Sequence, residues 1–206
     1  MPSPMEVFEG EPADTREAIM QATYAALSKH GYADLTIQRI GDEFDKSKSL
    51  LYHHYDSKDD LLVDFLAFML EGMEASVPVE EQADAYAAML LVLDEVFGDL
   101  LGETRDEFRQ AMIELRSRAA HDETFRDQFT ANQAYIHQRL VDIISDGMEE
   151  GVFREVDPDQ AAEMLLTTID GAMLRAATTD GIDPDAVRDE LKAYLDLRLL
   201  ADDVDR

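Results

Sequence analysis

The sequence predicts an all-α protein: an N-terminal three-helix helix-turn-helix domain, a connecting helix, and a larger C-terminal helical domain. Three observations lead there. Apolar residues recur at i, i+3 and i+4 along nearly the whole chain, which is the spacing of one helix face. Strand signals are missing, with no sustained alternation and no Asn-Gly or Asp-Gly turn between β-branched runs. Side chains suited to capping helices divide the chain at intervals. With 206 residues, 46% of them hydrophobic, the chain has enough apolar surface to bury a core and too much to stay disordered.

Residues 1–13, rich in proline, are expected to be a loose arm. Asp14 and Glu17 form a capping box, and Ala18, Ile19, Ala22, Ala26 and Leu27 continue that helix to Gly31. Thr36 can cap a short helix bearing Ile37, Ile40 and Phe44, and Ser47 another bearing Leu51 and Tyr55. Two short helices joined by a tight turn near Asp45 give residues 14–56 the outline of a helix-turn-helix. Ser57, with Asp60 three places on, opens the connecting helix at 57–78. Residues 79–206 hold five further helices, at about 80–101, 104–120, 122–150, 158–179 and 184–201. Thr104 with Glu107 caps one, Gly151 ends another, and Asp157-Pro158 and Asp183-Pro184 place a capping Asp before a first-turn Pro.

The formal charge is -28, from 46 acids against 18 bases, and only five of the bases are Lys. The acids are spread along the chain instead of forming one tail, so they describe a solvated acidic surface. Such a surface repels itself in dilute buffer and is relieved by salt. We read it as adaptation to a salt-rich cytoplasm, with an ordinary acidic protein as the alternative. The absence of Cys excludes disulfides and thiolate chemistry. No N-terminal stretch has the layout of a signal peptide and no apolar run approaches a membrane span, so a soluble, cytoplasmic protein is expected.

Four of the five lysines, Lys29, Lys46, Lys48 and Lys58, fall within residues 29–58. With Arg39 they balance Asp34, Asp42, Glu43, Asp45 and Asp56, so this window is neutral and the other 176 residues carry the whole excess. If Leu51 and Tyr55 face the core, Lys48, Ser49, Tyr52 and His53 lie on neighbouring exposed rows. Such a row can donate hydrogen bonds to phosphates and base edges. A metal site is not supported, because adjacent His53 and His54 point about 100° apart on a helix and no HExxH pattern occurs. His54 is read as either a packed ring or a phosphate donor, and Tyr55 as a core aromatic.

The segment "GYADLTIQRIGDEFDKSKSLLYHHYDSKDDLL", residues 31–62, resembles the DNA-binding domain of TetR-family transcriptional regulators. That motif reads roughly Gly-aromatic, Thr, a helix, a turn, Ser-Lys-x-x-Leu-Tyr-x-His/Tyr-Phe, then Ser-Lys before a fourth helix. Carried onto this chain, the resemblance implies that Thr36 and Gln38 open the second helix against DNA. Lys48, Ser49, Leu50, Tyr52 and His53 would lie on the recognition helix, with Lys46 in the turn and His54 and Lys58 holding phosphates. Two departures stand out. Asp45-Lys46 replaces the usual Gly and apolar residue, and since Asp tolerates a left-handed backbone the turn is expected to survive. The arm "MEVFEGEPA" lacks the basic residues often found there, so it is not expected to enter a minor groove.

In the C-terminal part, the last two long helices are apolar over arcs too wide for one core, which suggests a second buried face. A homodimer interface through Leu165, Ile169, Met173, Leu191, Leu195 and Leu199 is therefore expected, and the resemblance implies one too. Two recognition helices about 34 Å apart would then read a near-palindromic operator in double-stranded DNA. The resemblance also implies a small-molecule effector bound in this domain. Candidate pocket residues are Tyr86, Met89, Phe97, Phe108, Met112, Tyr135, His137 and Met164, for each of which plain packing is the alternative. An apolar lining would favour a hydrophobic ligand. No cofactor is implied. A protein-interaction module is the other class considered, and an enzyme lacks any nucleophile–base or metal constellation in the sequence.

Overall fold

A computed structural model describes residues 8, 10–76, 82–100 and 106–202. Nine α-helices occur among them: α1 (Thr15–His30), α2 (Ile37–Asp42), α3 (Ser49–His54), α4 (Lys58–Ser76), α5 (Ala85–Glu95), α6 (Asp106–Arg118), α7 (Glu123–Glu149), α8 (Pro158–Thr178) and α9 (Pro184–Tyr194). π-helical turns extend α5 at Val96–Leu100 and α9 at Leu195–Leu199. The described residues contain no β-sheet, only an isolated antiparallel bridge between Phe153 and Leu200.

Most helix starts follow from the caps. The carboxylate of Asp14 accepts the Glu17 N–H at 2.8 Å, while Glu17 reaches back to the Ala13 N–H. Thr36 accepts from Arg39 N–H, Ser57 from Asp60 N–H, and Asp157 and Asp183 accept from Gln160 and Ala186. Each satisfies a donor that the first helical turn leaves open. Of the expected pair Thr104 and Glu107, Glu107 lies in α6 and Thr104 lies outside the described residues. Ser47 does not cap α3: the helix opens at Lys48 without a side-chain cap, and the Ser47 hydroxyl pairs with that of Ser49 at 2.8 Å. Its backbone carbonyl instead accepts the Leu50 N–H, which makes the first turn tight.

The chain divides into two compact units, Met1–Ser76 with Glu103–Asn132, and Val77–Gly102 with Gln133–Arg206. By packing, α4, α6 and the start of α7 lie in the first unit with α1–α3. In the first unit, α1 lies against α2, α4 and α6. Its aromatic cluster gathers Tyr24, Phe65 and Phe68 around Phe8, which is 4.7 Å from the Tyr24 ring, with Phe108 edge-on to Tyr24 and Phe65. Phe8 is buried, so that point of the expected loose arm is anchored. One apolar ring in a polar segment gains more by burial than its backbone loses by ordering.

The second unit is built on Met89, Leu93, Phe97, Leu140, Ile144, Leu165, Leu191, Leu195 and Leu199. Arg154 N–H donates to Leu199 O and Ala201 N–H to Val152 O, so the loop after α7 grips the end of the last helix. This unit corrects part of the interface reading. Leu165, Leu191, Leu195 and Leu199 are essentially inaccessible within one protomer and so cannot form a surface for a second. Ile169 and Met173 are half-buried against the same core. Helical spacing identifies a buried face but does not say which partner buries it.

Candidate nucleic-acid interface

The helix-turn-helix is held together by small distances between α2 and α3. Gly41, in α2, is buried, and a Cβ there would lie 3.1 Å from Lys48 side-chain carbons and 3.3 Å from Leu51. Glycine therefore lets α3 approach. Leu51 and Ile40 are fully buried, so the opposite side of α3 must face out. The turn itself differs from expectation, because among the described residues no non-glycine residue has positive φ. Asp45 thus needs no left-handed backbone: Glu43 keeps right-handed φ, and its N–H reaches Ile40 O at 3.2 Å.

Ser49, Tyr52, His53 and His54 are exposed on α3, and Tyr52 is 62% accessible, unusual for so large a ring. The His53 and His54 rings meet edge to face at 5.9 Å, and the exposure of His54 leaves it outside the core. Leu50 is half-buried at the rim, and Thr36 and Gln38 are exposed at the start of α2. Lys46 is exposed in the turn. Lys58 lies across the face of Tyr32, its Nζ 4.3 Å from the ring centroid, and is half-buried. All ten residues selected from the sequence belong to this unit.

Much of the positive charge is neutralised internally. Lys48 pairs with Asp42, Lys29 with Glu43 at 2.6 Å, and Arg39 with Asp34 at 3.5 Å. The Lys48 ammonium holds the Asp42 carboxyl below its usual range. Three ties that the sequence did not reveal brace the head. Tyr55 lies just past α3 in extended backbone, and its hydroxyl donates to Asp64. Arg16 donates to both oxygens of Asp64 and to both of Glu71. Burial pushes the Asp64 carboxyl up, but hydrogen bonds from Arg16 and Tyr55 outweigh it and hold it below the usual carboxylate range. Arg118, at the end of α6, donates to Tyr32 at 2.8 Å, Asp59 at 2.7 Å and Asp122 at 3.3 Å. These partners lie 48 to 86 residues apart for Arg16–Asp64, Arg118–Asp59 and Arg118–Tyr32, so no local pattern announces them.

The eight residues expected to line an effector pocket fall in both units. Phe108 packs in the first unit against Tyr24 and Phe65, and Met112 is buried there as well. Met89 and Phe97 are core of the second unit, and Tyr86 bonds to Asp196 on its surface at 2.6 Å. Tyr135 is half-buried on α7. His137 and Met164 line an open groove of about 610 Å³ with Glu163, Thr167 and Thr168.

The family model for bacterial regulatory proteins of the tetR family matches residues 19–65. That for the C-terminal part of BetI-type transcriptional repressors matches residues 87–200. The chain belongs to the TetR family. This TetR-family protein is 41% identical to a TetR transcription regulator of known structure from Haloarcula marismortui, with a TM-score of 0.80 over 89% of this chain and 97% of that one. It is 24% identical over 183 residues to the HTH-type transcriptional repressor AcnR of Corynebacterium glutamicum, covering 86% of this chain and 92% of the repressor. FadR of Bacillus subtilis, a transcriptional regulator solved in complex with stearoyl-CoA, shares the fold at 21% identity and a TM-score of 0.68, over 88% of this chain and 97% of that one. The protein is thus a DNA-binding transcriptional regulator and not an enzyme. Among the described residues no helix is long and apolar enough to cross a membrane.

Proposed function

We propose that this TetR-family regulator is a dimeric repressor that reads a near-palindromic operator through α3 and is released by a small hydrophobic effector. The observation that carries the reading is the outward row of α3: Ser49, Tyr52 and His53, with Lys46 and Lys48 beside them, in a chain of net charge -28. An exposed tyrosine beside clustered lysines suits phosphates and base edges, which use such donors. Thr36, Gln38, Leu50, His54 and Lys58 flank that row and complete the contact surface. Its relatives include proteins named repressors, which supports the direction of regulation.

Dimerisation rests on the outer face of α8. Met164 and Leu174 are 40% and 48% exposed, and Leu197 beyond α9 is 79% exposed. Thr167, Thr168 and Gly171 fill the spacing between the first two. A stripe of apolar and small residues lets a second helix approach closely. It replaces the buried leucines as the surface for a second copy, with Ile169 and Met173 at its edge. The effector class is supported by the stearoyl-CoA bound to the regulator FadR and by the apolar interior of the second unit. The acidic surface supports a salt-rich working medium.

One experiment tests the reading. Fluorescence anisotropy in molar KCl measures binding to duplexes that the protein selects from a random-sequence pool, and light scattering gives the mass in the same buffer. A Lys48→Ala, Tyr52→Ala variant should lose specific binding at least tenfold, and the mass should be twice the 23.2 kDa of one chain. A variant that binds as the parent does, or a monomer that still reads a two-fold site, would sink it.

A further inference from the structure

A helix of six residues is less than two turns long and cannot hold its own direction. α3 is such a helix, so its aim must come from its anchors. There are three: Leu51 in the core, Lys48 on Asp42, and, one residue past its last turn, Tyr55 on Asp64. The first fixes a point but not an angle. The second joins two side chains that are about half exposed, 47% and 56%, and salt screens it.

The third is built differently. Asp64 sits in α4, 29% exposed, with both carboxylate oxygens engaged by one guanidinium: Arg16 Nη2 at 2.7 Å and Nε at 3.1 and 3.2 Å. The same Arg16 places Nη1 2.6 Å and Nη2 3.1 Å from Glu71, two helical turns farther along α4, and lies 5.4 Å over the Phe68 ring. The guanidinium fork thus pins α1 to α4 at two points in a fixed geometry. Tyr55 completes the chain by donating its hydroxyl to the pinned carboxylate. The Tyr55 backbone N–H still bonds to Leu51 O at 2.9 Å, so the ring is rigidly continuous with α3.

We propose that Arg16, Asp64 and Tyr55 form a positioning relay that sets the angle of α3 on α4, and with it the sequence discrimination of the regulator. The relay rests on the reading of α3 as the recognition helix. Tyr55 is a positioning residue: it acts through Tyr52 and His53, which lie on the helix that it ends. Burial and the bond to Asp64 both keep the phenol protonated well above its ordinary range, so it stays a donor at any working pH.

The test is Tyr55→Phe, which removes one hydroxyl and keeps the ring. Binding is measured in molar KCl against a duplex selected by the parent protein and against a scrambled duplex, with thermal melting in the same buffer. The expected result is a roughly tenfold loss on the selected duplex, about what one hydrogen bond to a charged group is worth, with unchanged binding to the scrambled one. The slope of affinity against salt stays the same, because no phosphate contact is lost. Asp64→Asn should show the same selective loss, and the double variant should lose no more than Asp64→Asn alone. Tyr55→Phe binding within twofold of the parent, or equal losses on both duplexes, overturns the relay. Parent-like binding by Lys48→Ala, Tyr52→Ala overturns the reading of α3 and the relay with it, whereas loss in that variant with none in Tyr55→Phe overturns the relay alone.

Discussion

Lys48 is already paired before any DNA arrives. Its partner Asp42 is on α2 and exposed, so a phosphate that takes Lys48 must displace a carboxylate and not a diffuse counterion. Counterion release is what makes DNA affinity fall with salt, by close to one unit of slope per neutralised phosphate. Asp42→Asn should therefore steepen the slope of log affinity against log KCl by about one and raise affinity in dilute buffer. An unchanged slope in an anisotropy series would mean that Lys48 meets no phosphate. At this scale the sequence was informative where exposure follows from helical phase, as for Tyr52 and Lys48. It was silent on Asp42 as a partner, and on Asp64 and Arg118, because those bonds join helices that only the fold brings together.

Single helices were legible through their ends. Asp14, Thr36, Ser57, Asp157 and Asp183 all cap where the pattern of small polar residue and following turn says they should, since a cap is a local bond between neighbours in sequence. The end of α7 was read from Gly151, which has φ +75°, but the more demanding glycine there is Gly147. A Cβ at 147 would lie 2.1 to 2.8 Å from the buried Phe153 ring. Gly147→Ala should destabilise the second unit by about 1–3 kcal/mol, seen as an earlier thermal transition, although alanine is the better helix former. A variant as stable as the parent would show that Phe153 can move aside. Nothing in the sequence singles out Gly147, because the clash comes from a loop that folds back onto its own helix.

For the whole molecule, charge outweighs every local feature. A net -28 on 206 residues repels itself until the Debye length shrinks to a few ångströms, at about 1 M salt. The thermal midpoint should rise by roughly 10 °C, a few kcal/mol for a chain of this size, between dilute buffer and molar KCl, and then level off. A flat curve, followed by circular dichroism across a KCl series, would mean that the surface acids are too far apart or too well paired to matter.

The sequence by itself determined the all-α class, the helix-turn-helix and the exposed basic and aromatic row of α3. All of these depend on residues within a turn or two of each other, where spacing and capping act without help from the rest of the chain. Only the tertiary structure decided which apolar residues are core and which are surface. Leu191, Leu195 and Leu199 went inside, and Met164, Leu174 and Leu197 were left out. It also decided that Arg16 and Asp64 would brace α3 and that α6 would lie with the head. Burial is a property of packed faces and ion pairing a property of distance in space, and neither is carried by the order of residues along one helix.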